Sequence, residues 1–92
     1  MAVSWLEPKD AQDWEERAMS AIYRRISTNP GQQAPGEARV IRQDHVKGPR
    51  DYVVLTNQHG IVGLYRVQHL TDGSNRLKWI ERIPKEISSL VK

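Results

Sequence analysis

The chain has 92 residues, of which 38% are hydrophobic and 27% charged, and it contains no cysteine. At this length folding buries only roughly 60 to 65% of the unfolded chain's surface, which leaves room for one modest core and excludes a second core or a large enclosed active site. The missing cysteines exclude a disulfide framework, a thiolate nucleophile and zinc sites built on Cys, while a formal charge of +3 is ordinary for a small domain.

Met1 to Leu6 has no basic start, and no apolar run approaches the ~18 residues of a membrane span. Neither export nor insertion is expected, and with no cysteine the reading is a soluble, cytoplasmic protein.

From Pro8 to Thr28, Ala11, Trp14, Ala18, Ile22 and Ile26 recur three or four apart, and Met19 and Tyr23 widen the stripe. That period predicts an amphipathic helix over 8–28. Pro8 suits its first turn, while acidic Asp10, Asp13, Glu15 and Glu16 near the start and Arg24 and Arg25 near the end complement its dipole. Ser4 and Glu7 have the spacing of a capping box, which offers an earlier start near Trp5. Asn29 to Gly36 holds two prolines and two glycines and reads as a flexible connector over 29–36.

Four strand-like segments follow: Glu37 to Val46, Asp51 to Asn57, Ile61 to Leu70 and Arg76 to Ile83. Their short joints favour hairpins over crossovers. Residues 84–92 form a short C-terminal tail or helical turn. The whole is one α+β domain over 1–92, an N-terminal amphipathic helix packed on a four-stranded antiparallel β-meander at 37–83.

If Gly60 takes a left-handed bulge position, Asn57 pairs with Ile61. Parity then places Val53, Leu55, Ile61, Tyr65 and Val67 on one face and Tyr52, Val54, Val62 and Leu64 on the other. A two-residue Asp72-Gly73 turn adds Leu77, Trp79 and Ile83 to the second face. Both faces are therefore apolar, and one helix covers only one of them. Either the C-terminal tail, with Ile87, Leu90 and Val91, folds over the second face, or a protein partner or second copy does.

Catalytic patterns are missing. His45, His59 and His69 match no metal-ligand spacing, and Asp44 and His45 project to opposite sides of a strand. The serines lie in no nucleophile elbow and the glycines form no phosphate-cradling loop, so no catalytic residue, metal or cofactor is expected.

The function expected is a non-catalytic protein-interaction or assembly module, with Tyr52, Val54, Val62, Leu64 and Trp79 as apolar anchors and Arg66 and Arg82 at their rim. The alternative is nucleic-acid binding through Arg42, Lys47, Arg50, Arg66, Arg76 and Lys78, because the strand half is locally basic.

Overall fold

The apolar stripe of the N-terminal third folds as α1 (Ala11–Thr28), and its buried residues are Trp14, Ala18 and Ile22. Asp13 lies in its first turn and Arg25 in its last, as the helix dipole favours. The C-terminal end is closed by the Asn29 amide and Nδ2, which both donate to the Arg25 carbonyl, at 2.7 and 3.1 Å. Pro30 cannot extend the helix. Ile26 is only half-buried and Tyr23 is exposed, so the stripe is narrower than its sequence pattern.

The computed structural model describes residues 3–5 and 11–90. Pro8 and Asp10 at the expected helix start, and Val91 in the tail, lie outside the described residues. Trp5 ends a short strand, β1 (Val3–Trp5), so no helix starts at the Ser4 capping position. The remaining elements are β2 (Glu37–Gln43), β3 (Arg50–Asn57), β4 (Gly60–His69), β5 (Asn75–Trp79) and α2 (Lys85–Leu90). The strands form an antiparallel sheet in the order β1-β2-β3-β4-β5. The fold is thus α+β: a helix on an antiparallel meander, with a short C-terminal helix and an additional edge strand, β1.

Two core clusters lie on opposite faces of the sheet, which corrects the expectation that a chain of this length has no room for a second core: each cluster is small and both share the central strands. Under α1, Trp14, Ala18 and Ile22 meet Val40, Val53, Leu55, Tyr65 and Val67. On the other face Ile41, Tyr52, Val54 and Leu64 surround Ile87 of α2, with Ile61, Ile80 and Ile83 at the margin. A six-residue helix has little stability of its own in water, so the completely buried Ile87 is what holds α2 in place.

The two hairpins correct the expected faces of four residues. Asn57 pairs with Gly60 rather than Ile61, and the register moves from Thr56↔Ile61 to Leu55↔Gly63, so Val62 is an unpaired bulge residue. Gly60 does take positive φ, 122°. Ile61 therefore joins the α2 face and Val62 the α1 face, the reverse of the parity expectation, and beyond the bulge the expected register resumes. At the second hairpin Leu70 pairs with Ser74 through a 2.9 Å amide-to-carbonyl bond, and Gly73 has φ 89°. Asp72 Oδ1 accepts from the Ser74 amide at 2.9 Å and from its hydroxyl at 2.6 Å, which favours this longer loop over a two-residue turn. The one-residue shift sets Tyr65 opposite Trp79 and brings Leu77 and Trp79 to the α1 face.

The connector is docked on the β3–β4 hairpin. Gln32 Nε2 donates to the Val62 carbonyl, 2.8 Å, at the bulge where the ladder leaves Val62 without a cross-strand partner. The Gly36 amide donates to the Thr56 carbonyl, 2.7 Å, and Asn57 Nδ2 to Gln33 Oε1, 3.0 Å. Pro35 is buried, whereas Ala34 is exposed.

Gly63 sets the spacing of the α1 face. A Cβ there would lie 2.8 Å from Ile22 Cδ1 and 3.0 Å from Trp79 Cζ3, so the bare backbone is what admits both side chains. Gly63→Ala is expected to cost about 1–3 kcal/mol through overpacking, read from denaturant melts. Leu64→Arg places a charge beneath α2 and is expected to cost about 3 kcal/mol or more. Light scattering beside the melt separates that loss from any change of assembly.

Candidate interaction surface

Alternation along the strands sorts the cations. Register places Arg42 opposite Asp51 on the α1 face, where Arg42 Nε donates to Asp51 Oδ1 at 2.7 Å and Nη2 to Oδ2 at 3.2 Å. His69 Nε2 lies 3.3 Å from the same Oδ2, and its Nδ1 lies 2.7 Å from Asn75 Oδ1. Burial pushes the Asp51 carboxyl upward, but its hydrogen bonds with Arg42 and His69 outweigh that cost and hold it below the ordinary carboxylate range. This network staples β2, β3 and β4 at one end of the α1 face and leaves Arg42 with its charge already matched.

The opposite face differs. Arg50, Tyr52 and Val54 alternate onto the α2 side of β3, Leu64, Arg66 and Gln68 onto that side of β4, and Arg76 and Lys78 onto that side of β5. In register, Tyr52 stands beside Arg66 and Arg66 beside Lys78, while Gln68 stands beside Arg76 and Gln43 beside Arg50. No Asp or Glu occupies these rows. Arg76 donates from Nε and Nη2 to Gln68 Oε1, a neutral acceptor that leaves its charge unmatched. Arg66 Nε is buried with no acceptor among the described residues. A surface depression of about 390 Å³ is bordered by Arg50, Arg66, Gln68 and Arg76.

His45, near the start of the β2–β3 joint, lies close to these cations. Its imidazole is held below the usual range first by desolvation and then by the charges of Arg50, Lys47 and Arg66. The Lys47 amide donates to its Nδ1 at 3.2 Å, which suits the neutral ring.

The residues expected to anchor a partner divide into two groups. Tyr52, Val54 and Leu64 sit together on the α2 face, 3%, 1% and 0% exposed, beneath the cover that Ile87 provides. Val62 and Trp79 lie on the other face with the α1 cluster. Arg66 borders the closed apolar cluster, and Arg82 is exposed in the segment between β5 and α2. Of the cations considered for nucleic acid, Arg50, Arg66, Arg76 and Lys78 share the α2 face, Lys47 is exposed in the adjoining turn, and Arg42 stands apart on the α1 face.

Two features were not read from the sequence. Arg17 Nη2 donates to the Asn75 carbonyl at 2.9 Å, and the Arg25 guanidinium lies 3.9 Å over the Trp79 ring, so α1 holds the outermost strand with two cations. Positions 17, 21 and 24 flank the buried stripe 14, 18 and 22, and that spacing was the available signal. A groove of about 480 Å³ runs between α1 and β5, with Ala21 and Leu77 among its lining residues and Asp13, Glu16, Arg17 and Arg24 around them.

Among the described residues, no three of His, Cys, Asp and Glu gather in a way that would hold a metal, and no helix is long and apolar enough to cross a membrane. No protein family, curated protein or solved structure matches this chain.

The Asp51 network carries a pH signature. Because the folded-state pKa is depressed, its stabilisation is full above the ordinary carboxylate pKa of about 4 and is lost as pH falls through the folded value. Asp51→Asn is expected to lower stability at neutral pH by about 1–2 kcal/mol and to flatten the loss of stability below about pH 4. Urea melts across that range check both.

Proposed function

We propose that this chain is a small, non-catalytic protein-interaction module of the cytoplasm that holds an acidic partner on the cationic end of its α2 face. The observation that supports the reading is the segregation of charge. Arg50, Arg66, Arg76 and Lys78 occupy two adjacent rows of one face that contain no carboxylate, the face's one strand carboxylate among the described residues, Glu37, lying at the far end of β2, whereas Arg42 on the other face is matched by Asp51. Holding like charges next to one another, as Arg66 and Lys78 are, destabilises a sheet, and an acidic ligand removes that cost. The apolar anchors Tyr52, Val54 and Leu64 are buried beside these cations on the same face, and the arginine rim is the part left to a partner.

A second reading, a nucleic-acid-binding regulatory protein, draws on the same strip together with Lys47, because arginine forks match phosphate as well as carboxylate. The buried Tyr52, and Trp79 on the opposite face, leave the strip without a platform for stacking bases, which favours the protein partner.

Fluorescence anisotropy with labelled oligoglutamate, single-stranded DNA and duplex DNA tests the two readings at low ionic strength. Oligoglutamate is expected to bind, to weaken with salt, and to lose about tenfold or more in affinity in Arg50→Glu/Arg66→Glu, whose melt stays cooperative. DNA binding without peptide binding selects the second reading. No binding of any of the three overturns both.

A further inference from the structure

Among the described residues no strand pairs with the outer edge of β5. Leu70 and Ser74 form a hydrogen-bonded pair, and the Ile80 amide donates to the Leu64 carbonyl at 2.9 Å. Since hydrogen-bonded pairs alternate along an antiparallel ladder, Arg76 and Lys78 direct their backbone groups at β4, and Asn75, Leu77 and Trp79 direct theirs outward. The Asn75 carbonyl is taken by Arg17. The amide and carbonyl groups of Leu77 and Trp79 have no partner among the described residues. An edge of this kind is a template for another strand.

The geometry points to β5 as the docking edge for an extended segment of a partner protein in which acidic and apolar residues alternate, added as a further strand between β5 and α1. This rests on the acidic-partner reading above and specifies how that partner binds. Side chains of an added strand alternate between the two faces. On the α2 face they stand beside Arg76 and Lys78, with Arg66 one strand further in, so acidic residues match that side. On the α1 face they enter the groove over Leu77 and Ala21, whose apolar surface matches apolar residues, while the charges at its margin are of both signs, Asp13 and Glu16 with Arg17, Arg24 and Arg76. Main-chain bonds to Leu77 and Trp79 would supply affinity, and the alternation specificity. A second copy of this chain fits the edge poorly, because two-fold antiparallel pairing centred on Leu77 would set Arg76 of each copy opposite Lys78 of the other.

The test uses the full chain and an alternating Glu-Val hexapeptide, its isomer with the three glutamates grouped, and two N-methylated forms, one methylated on the valines and one on the glutamates. The alternating peptide is expected to bind about tenfold more tightly than the grouped isomer. Methylation of one alternate set, and only one, is expected to abolish binding, since a strand offers every second amide to its neighbour. Saturating peptide should slow hydrogen exchange at the Leu77 and Trp79 amides, and Lys78→Glu should weaken binding by about tenfold with the melt unchanged. Equal binding of all four peptides with unaltered exchange overturns strand addition while leaving the electrostatic reading in place. Failure of these peptides where oligoglutamate binds does the same, and failure of oligoglutamate as well removes both. Slow exchange of these amides in the protein alone, accompanied by dimerisation in sedimentation, assigns the edge to a second copy and overturns the proposal.

Discussion

A sheet whose central strands carry apolar side chains on both faces has to be dried on both, and a single helix reaches only one. That constraint organises the rest of this chain. Val53, Leu55 and Tyr65 draw α1 across one face. Tyr52, Val54 and Leu64 leave the other face with an apolar area whose exposure would cost about 25 cal/mol for each Å². The C-terminal residues close it with one deeply inserted side chain, Ile87, flanked by Ile80 and Ile83. A helix as short as α2 persists because the sheet gives it something to bury.

Closing the second face redistributes what remains for recognition. With the apolar end of that face covered, its other end carries Arg50, Arg66, Arg76 and Lys78, while Arg42, bound to the buried Asp51 carboxylate, is turned to the opposite side. Alternation along neighbouring strands is what makes charges scattered in sequence converge in space. The same parity points the backbone of Leu77 and Trp79 outward while their side chains pack inward against α1. Edge strands ordinarily carry charge to deter pairing. Here Arg76 and Lys78 deter a like-charged copy and favour an acidic strand, so one pair of residues sets both the exclusion and the preference.

Small irregularities carry much of the architecture. The bulge at Val62 exchanges the faces of two neighbours, and Gln32 satisfies the carbonyl that the bulge leaves out of the ladder. Bare backbone at Gly63 lets Ile22 and Trp79 meet over β4, and Trp79 is then held edge-on to Tyr65 at 5.2 Å and beneath Arg25. The bulge turns Val62 toward the α1 core, and a Cβ at Gly63 would crowd Ile22 and Trp79 there.

The helix, the meander order and the presence of two apolar faces were legible in the sequence, because they follow from local periodicity: three or four residues for Trp14, Ala18 and Ile22, and two for Tyr52 through Leu55. The breaks at Pro30 and Gly36 and the turn glycines Gly60 and Gly73 were legible for the same reason, since backbone freedom belongs to the residue itself. Face assignment around Ile61, Val62, Leu77 and Trp79 was not, because a shift of one residue in a turn inverts every side chain beyond it until a bulge restores the count. The cover over Leu64, the match of Arg42 with Asp51 and the gathering of Arg50, Arg66, Arg76 and Lys78 join residues distant along the chain. Only the tertiary structure decided these, because burial and charge pairing depend on register and on which element lies opposite.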